Sequence, residues 1–304
     1  MITSKQINYV LAVSKTLHFK RAAELCYISP STLSMAIADL ENQLGFSIFE
    51  RNNKNVIVTP MGHAVLRKAR DIKLKMDDIN RLGELRAMPL STPIALGIIP
   101  TISPYLLPRV LPALKQHYPQ LTLNIVEDRS SRLVEQVQTG EIDMAILALP
   151  FDIKSLSSFK FWQEDFYYIT HKDNVKGQSI EIEVSELNQS ELLLLEDGHC
   201  LKEHALAACK LTHKPMYTMK VSSLATLVQL VAGNMGSTLV PQMALEQLLG
   251  SNGSLAMLHL NQPSPHREIA LVARPNYPGI ANIHHLTEVF SAQLHTRFGG
   301  SKGI

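Results

Sequence analysis

Two cysteines and a nearby histidine form the most chemically suggestive stretch of the chain. Cys200 and Cys209 are nine positions apart, with His199 beside the first and Lys202 two residues after it. The apolar run 192–195 predicts a buried strand, and the residues after it have helical spacing. At the start of that helix, backbone N–H groups would favour a negatively charged thiolate. The sequence therefore predicts a reactive Cys200 whose pKa lies below its ordinary value of about 8.5.

The spacing of the two cysteines limits how they can react with each other. If residues 200–209 form one straight helix, steps of about 100° and 1.5 Å place the two sulfurs on opposite faces, about 13 Å apart along the axis. A disulfide requires Cα atoms within about 7 Å. Cys200 and Cys209 can therefore join only if the segment unwinds, which is typical of a switch rather than of a structural disulfide.

Three other interpretations of this stretch remain open. The cysteines could be small buried apolar residues, as free cysteines often are. Cys200, His204, Cys209 and His213 could bind zinc, although the short separation between the two pairs is unusual for a structural site. A catalytic cysteine–histidine dyad is disfavoured for His199, because adjacent residues on a helix do not face each other.

Length and composition indicate a globular protein of two or three domains. The chain has 304 residues, of which 45% are hydrophobic and 18% charged, as in ordinary globular proteins. No apolar run approaches the ~18 residues of a membrane span, and the N-terminus lacks a signal-peptide core. Three cysteines do not form a disulfide framework, so we expect a reducing, cytoplasmic location and no membrane partner.

Charge is distributed unevenly along the chain. Residues 1–88 contain 13 Lys and Arg against 8 Asp and Glu, whereas residues 89–304 contain 16 against 19. A basic first part joined to a mildly acidic second part suggests that the first part meets a polyanion.

The first 60 residues have the pattern of a DNA-binding domain. Residues 18–26 and 31–44 have helical patterns and are joined by the short turn 27–29, which predicts a helix-turn-helix whose second helix enters the major groove. Residues 49–59 read as a β-wing that would contact phosphates. The candidate DNA-contacting residues are Lys20, Arg21, Ser29, Ser31, Thr32, Ser34, Arg51 and Lys54.

This region resembles the winged helix-turn-helix of LysR-type transcriptional regulators. The pattern F-x-R-A-A, followed by S-x-x-T-L-S-x-x-I-x-x-L-E-x-x-L-G-x-x-x-F-x-R, runs from Phe19 to Arg51. The family often has glutamine and basic residues on the exposed face of the reading helix, whereas this chain has Ala36, Ala38 and Asp39. The resemblance implies a transcription regulator rather than an enzyme.

The next segment has the pattern of a coiled-coil helix. Apolar residues recur at intervals of four and three, which gives a period of 3.5; they are Val65, Ala69, Ile72, Met76 and Ile79. In the LysR family this helix pairs with its twin in a dimer. We therefore predict a DNA-binding domain at 1–60, a linker and dimerisation helix at 61–89, and a regulatory domain at 90–304.

The regulatory part alternates predicted strands and helices, which places the chain in the α/β class. The alternation over 94–147 predicts a parallel sheet with helices on both faces. A second series starts near residue 165. Together they resemble the two-lobed, periplasmic-binding-protein-like regulatory domain of the family, with lobe I at 90–162 and 268–304 and lobe II at 163–267.

The resemblance is most specific to the hydrogen peroxide-sensing OxyR branch of the family. It is carried by residues 195–201, the Cys200/Cys209 spacing, and residues 97–108. It implies that peroxide oxidises Cys200, that Cys209 resolves it in a reversible disulfide, and that the protein controls antioxidant genes. It further implies that the peroxide and the thiolate are held by Thr101, Ser130, His199, Lys202 and Arg267.

The implied partners follow from the same resemblance. They are double-stranded promoter DNA, hydrogen peroxide, further copies in a dimer and a tetramer, RNA polymerase, and glutaredoxin or glutathione as reductant. We expect no cofactor and no bound metal. The alternatives are a LysR-type regulator that binds a small metabolite between the lobes and has non-redox cysteines, a thiol peroxidase, and a zinc-responsive repressor.

Overall fold

The structure is a computed structural model, and it divides the chain into two compact units, Met1–Arg86 and Ala87–Ile304. The described residues are 1–52, 55–84, 89–175, 177, 179–187, 191–196, 198, 200–208, 221–250, 253–263 and 266–298, with backbone only at 51, 52, 83 and 84. Four residues singled out above, Lys54, His199, Cys209 and His213, lie outside these ranges, as does the side chain of Arg51.

The first unit opens with three helices, α1 (Ser4–Thr16), α2 (Phe19–Leu25) and α3 (Pro30–Leu44). The Ser29 hydroxyl caps α3 by accepting a hydrogen bond from the Thr32 N–H, and Pro30 occupies the first helical position, where its missing N–H costs nothing. Gly45 ends the helix with φ 74°, a backbone conformation that favours glycine. The predicted helix-turn-helix is therefore present.

A β-wing and a long helix complete this unit. Strands β1 (Phe49–Asn52) and β2 (Asn55–Val58) pair antiparallel, and α4 runs over Pro60–Glu84. Leu66 and Ala69 of α4 are buried in the helix-turn-helix core. Further along, Ile72 and Ile79 of the predicted seam are 46% and 68% exposed in the single chain, and Met76 is half-buried. Leu82, which follows the seam, is 58% exposed.

The second unit contains a five-stranded sheet in the order β4-β3-β5-β11-β6. Its elements are β3 (Ile94–Ile98), α5 (Ser103–His117), β4 (Leu123–Glu127), α6 (Ser130–Thr139), β5 (Met144–Leu149), β6 (Ser157–Glu164), β11 (Arg267–Ala273) and α10 (Ile280–Phe298). Strand β3 is parallel to β4 and β5, as predicted, but β11 is antiparallel to β5 and β6. Sequence reading missed β6, and the sheet is mixed.

The same unit contains a smaller sheet in the order β8-β10-β7-β9. Its elements are β7 (Phe166–His171), β8 (Glu181–Ile182), α7 (Cys200–Ala208), α8 (Leu224–Ala232), β9 (Thr238–Pro241), α9 (Leu245–Leu249) and β10 (Leu255–Leu260). Strand β7 is antiparallel to both β9 and β10.

The predicted strand at 192–195 is wrong. Leu192, Leu193 and Leu195 are buried, but the run makes only an isolated parallel bridge from Leu192 to Ser237. An apolar run of four residues signals burial without specifying a strand ladder. Among the described residues, no helix combines the length and apolar character that crossing a membrane requires.

Candidate functional site

Cys200 lies at the start of α7, where that helix packs against the end of β5. Gly198 precedes it with φ 97°, and the Cys200 side chain is buried, with 2% exposure. One turn further along, the His204 ring Nε2 lies 2.8 Å from the carbonyl oxygen of Pro150. The Ala148 backbone lies near enough to the Cys200 thiol to favour its thiolate. The thiol therefore lies where α7 meets the five-stranded sheet.

The prediction of a lowered Cys200 pKa is wrong for this folded form. Burial raises the pKa of the thiol, because the charged thiolate loses its hydration. Ser130, the Arg267 charge and the Ala148 hydrogen bond oppose that effect, in this order, and the Glu203 charge adds to it. Lys202 is partly exposed. Among the described residues, the positive charge that favours the thiolate is that of Arg267.

Arg267 is a buried cation with a buried partner. Its Nε and Nη2 lie 2.7 and 2.6 Å from Glu164 Oε1, and both side chains are 0% exposed. Glu164 Oε2 also accepts a hydrogen bond from the Met243 N–H at 2.7 Å. Such charges are retained in an interior only when they are paired and hydrogen-bonded. Glu164 therefore fixes the guanidinium beside the thiol.

Three buried polar atoms near the thiol have no hydrogen-bond partner among the described residues: Thr101 Oγ1, Ser130 Oγ and Arg267 Nη1. Arg267 Nη2 reaches the Thr101 carbonyl at 3.5 Å, which places Thr101 beside the same guanidinium. The Ser130 hydroxyl is near enough to favour the thiolate, but it makes no hydrogen bond of standard geometry. Unsatisfied donors in an interior are uncommon, and these could bind a small polar molecule and stabilise developing negative charge on it.

His204 is a buried neutral residue on the same helix as Cys200. Its pKa is lowered to about 4, first by burial and then by the Arg267 charge, against the effect of the Pro150 hydrogen bond. Its Nδ1 has no partner among the described residues. Of the four residues in the possible zinc site, the structure describes Cys200 and His204. Within the described ranges, no group of three or more potential ligands is placed to hold a metal ion.

A cavity of about 590 Å³ opens beside Thr101. Its lining residues fall in two ranges, 100–129 and 222–248. One of them is Tyr105, and burial raises the pKa of its hydroxyl to about 12. At its edge, Arg129 pairs with Glu196, just before the Gly198 turn. A Cβ on Gly198 would lie 3.2 Å from Arg129 Cδ, so this close approach favours glycine.

Six of the candidate DNA-contacting residues lie at or near the starts of α2 and α3. Lys20, Arg21, Ser29, Ser31 and Thr32 are exposed, and Ser34 is half-buried. The Ser29 hydroxyl lies 2.8 Å from the hydroxyl of Ser31 and 2.7 Å from that of Thr32. This arrangement presents the start of α3 to solvent, as a reading helix requires.

Sequence reasoning missed Glu164, the Ala148 backbone and the Arg129–Glu196 pair. Glu164 is far from Arg267 in sequence and meets it only because β6 and β11 are neighbours. A buried arginine requires a buried acidic partner. Nothing in the local sequence pattern identifies Glu164 as that partner.

Comparison with known proteins identifies the family. Residues 4–63 match the model "Bacterial regulatory helix-turn-helix protein, lysR family", and residues 89–294 match "LysR substrate binding domain". The chain is 37% identical to the HTH-type transcriptional regulator EstR of Acinetobacter baylyi over 279 residues, covering 90% of this chain and 91% of the relative. It is 32% identical to a Haemophilus influenzae protein named hydrogen peroxide-inducible genes activator, covering 98% and 99%.

The solved structure of a full-length OxyR variant from Pseudomonas aeruginosa is also similar, with a TM-score of 0.79, 31% identity and 95% coverage of each chain. These findings confirm the predicted family and the predicted fold, a winged helix-turn-helix joined to a two-lobed α/β regulatory domain. The chain belongs to the LysR family of bacterial transcription regulators.

Proposed function

We propose that this protein is a DNA-binding regulator that senses hydrogen peroxide through a reversible Cys200–Cys209 disulfide and controls antioxidant genes. The observation that carries the proposal is the arrangement of Thr101, Ser130 and Arg267 near a buried thiol, each with a buried polar atom that has no hydrogen-bond partner within the described ranges. The name of the Haemophilus influenzae relative, hydrogen peroxide-inducible genes activator, supports the same function.

The proposed reaction has two steps. The Cys200 thiolate attacks one peroxide oxygen, the O–O bond breaks, and Cys200 becomes a sulfenic acid while hydroxide leaves and takes up a proton as water. The Cys209 thiol then attacks the Cys200 sulfur, releases a second water and forms the disulfide. Two reducing equivalents from glutathione or glutaredoxin reverse the change.

Because burial raises the pKa of the Cys200 thiol, the surrounding groups must stabilise the reacting thiolate. At neutral pH the buried Cys200 is mostly protonated, so its reactivity depends on stabilising the thiolate and the leaving hydroxide. Ser130, Arg267 and the Ala148 backbone favour the thiolate. Arg267 Nη1 and the Thr101 hydroxyl, which have no partner in the part of the chain that the structure describes, can bind the peroxide oxygens. Donors fixed in advance in a water-poor site are effective because they need no reorganisation. His199 and Lys202 are proposed to tune the same thiol.

The disulfide would require the segment after Cys200 to change conformation. Residues 200–208 are helical, and a helix cannot bring positions 200 and 209 within disulfide distance. Unwinding α7 would break the His204–Pro150 contact. It would also move α7 relative to the end of β5 in the five-stranded sheet. We propose that this movement changes the arrangement of a tetramer on DNA.

The assembly we propose has two kinds of contact. The exposed apolar residues of α4, Ile72, Ile79 and Leu82, would pair with a second copy in a dimer, and the regulatory domains would join dimers into a tetramer. The proposed domains are 1–60, 61–89 and 90–304, with lobe I at 90–162 and 268–304 and lobe II at 163–267.

The first domain would bind promoter DNA through α2, α3 and the wing, including Arg51 and Lys54. We propose that the bound protein recruits RNA polymerase to the promoter and that it acts in the cytoplasm.

Footprinting of reduced and peroxide-treated protein on the DNA upstream of its own gene tests this function. We expect both forms to protect the DNA, with boundaries that shift after peroxide and return after treatment with glutathione and glutaredoxin. The Cys200→Ser variant should give the reduced footprint under both conditions. Identical footprints for reduced and oxidised wild-type protein would contradict the proposal.

The 590 Å³ cavity favours one other function. Its size suits a small metabolite, and its lining includes the polar residues Ser222, Ser223 and Asp128. In that case a bound metabolite, rather than thiol oxidation, would shift the footprint, and Cys200→Ser would still respond to the inducer.

A further inference from the structure

The reading helix α3 lacks the side chains that most often recognise bases. Its fifteen residues include no Lys, Arg or His. Of its two acidic residues, Glu41 is engaged in the fold, since its Oε1 accepts hydrogen bonds from the N–H groups of Ile48 and Phe49 at 2.7 and 3.0 Å. The arginine–guanine pair, the commonest specific contact in the major groove, therefore cannot come from α3.

The exposed face of α3 is apolar at its centre. Leu33, Ile37 and Leu40 are all 0% exposed and fix the face that packs on the core, whereas Met35 is 65% exposed on the opposite side. Positions two residues from Leu33 and Ile37 point away from the core at 100° per residue. Met35 therefore contributes little to folding and presents a flexible thioether to solvent.

Thr32 extends this surface towards the start of the helix. It is exposed, and its hydroxyl is 2.7 Å from that of Ser29. Beside this hydroxyl, the methyl group is the apolar part of the side chain that Thr32 can offer to a ligand. In the preceding turn, Tyr27 is 96% exposed at φ 54°, an uncommon conformation for a residue other than glycine. Tyr27 and Met35 are therefore two largely exposed apolar side chains of the helix-turn-helix.

We propose that Met35 and Thr32 recognise thymine through its C5-methyl group in the major groove. This inference rests on the proposed DNA-binding function and adds the class of base that α3 selects. The thymine methyl is the apolar feature of the major-groove base edges, and apolar side chains are its natural partners. Positive charge for the phosphates comes from elsewhere in the unit, including the exposed Lys20 and Arg21 of α2, so base reading and phosphate attraction lie on different helices.

The test starts from sites that the full-length protein selects from a randomised duplex library. Each thymine of the selected site is then replaced by deoxyuridine, which lacks only the methyl group. At the contacted positions we expect wild-type affinity to fall about fourfold per methyl, as for loss of one buried methylene-sized group. Met35→Ala should bind the thymine site more weakly by a similar factor and should no longer distinguish uracil from thymine there.

Two variants sharpen the result. Met35→Leu keeps an apolar side chain and should retain the preference for thymine. Met257→Ala removes a methionine that is 48% exposed on β10 of the other unit and should leave DNA affinity unchanged. Uracil substitution without effect at every position, or with the same effect in Met35→Ala, would overturn the inference while DNA binding stands. Failure to enrich any sequence would instead overturn the proposed DNA-binding function and the inference with it.

Discussion

Cys26 and Cys200 are two free thiols of one chain, and they differ in their surroundings rather than in the direction of their pKa shifts. Burial raises both pKa values. Cys26 is half-buried at the end of α2, and burial is the cause of its shift. Cys200 is almost fully buried, yet Ser130, Arg267 and Ala148 favour its thiolate.

The comparison indicates what makes a buried thiol a candidate sensor. A low resting pKa is not the distinguishing feature here, because neither thiol has one. The difference is that Cys200 lies beside a fixed cation and donors that would stabilise negative charge as it develops. Substitutions that remove the sulfur, the cation and the donors in turn separate their contributions.

The largest effect is expected from removing the Cys200 sulfur. Cys200→Ser should lower the second-order rate of oxidation by peroxide at least ~100-fold, because a serine hydroxyl is not oxidised by peroxide and the thiolate is the nucleophile. The matched variant Cys26→Ser should oxidise at the wild-type rate. Stopped-flow mixing with peroxide, followed by trapping of free thiols, measures both. Equal losses in the two variants would remove the distinction between the thiols.

The next effect comes from the buried ion pair. Arg267→Met alone should destabilise the fold by ~3–5 kcal/mol, because it leaves the Glu164 charge buried and unpaired. The double variant Arg267→Met/Glu164→Gln should recover most of that stability. It should still oxidise at least ~10-fold more slowly than wild type, the effect of losing ~1.4 kcal/mol of transition-state stabilisation. A stable double variant with wild-type reactivity would show that Arg267 is structural only.

The histidine on α7 should make stability depend on pH. The pKa of folded His204 is about 4, compared with 6.5 for the ordinary group, so the stabilising effect of the neutral ring is complete above pH 6.5. It is lost as pH falls from 6.5 towards 4, by up to ~3 kcal/mol. His204→Gln, which keeps a donor for the Pro150 carbonyl, should reduce this loss.

Urea denaturation at pH 7.5 and pH 5 measures the effect, with the single tryptophan, Trp162 of β6, as the fluorescent reporter of the second unit. His117→Gln, which alters an exposed histidine of the same unit, should keep the wild-type pH dependence. A His204→Gln profile identical to wild type would show that His204 is not the titrating group.

The smallest effect is expected at Ser130. Ser130→Ala should slow oxidation by a factor of about 5, the effect of one ordinary hydrogen bond of ~1 kcal/mol. Ser130→Thr keeps the hydroxyl and should react at close to the wild-type rate. If alanine and threonine variants react equally fast, the Ser130 hydroxyl does not contribute to the reaction.

The sequence predicted the parts of the molecule that local patterns control. The Ser29 cap, Pro30 and Gly45 define α3 to within one residue, and regular apolar spacing locates α4 and the parallel strands. The redox candidate Cys200 came from the local pattern, whereas Ser130, Thr101 and Arg267 came from a resemblance to a family. The structure places Ser130 and Arg267 near the Cys200 thiol and Thr101 beside Arg267.

What the sequence did not predict depends on contacts between distant segments. Strand β6 has alternating burial at a sheet edge and gives a weak pattern, and Glu164 becomes important only through its pairing with Arg267. The direction of the Cys200 pKa shift was predicted wrongly for the same reason. Helix position and nearby charge are visible in a sequence, whereas complete burial by another lobe is not.

The most direct test of the account is peptide mapping by mass spectrometry after treatment of the reduced protein with less than one equivalent of peroxide. Free thiols are alkylated first, and the digest is then searched for linked peptides. The account predicts a peptide pair joined through Cys200 and Cys209, reversed by glutaredoxin, with Cys26 fully alkylated. Recovery of Cys200 and Cys209 both free, or oxidation at Cys26 instead, would contradict it.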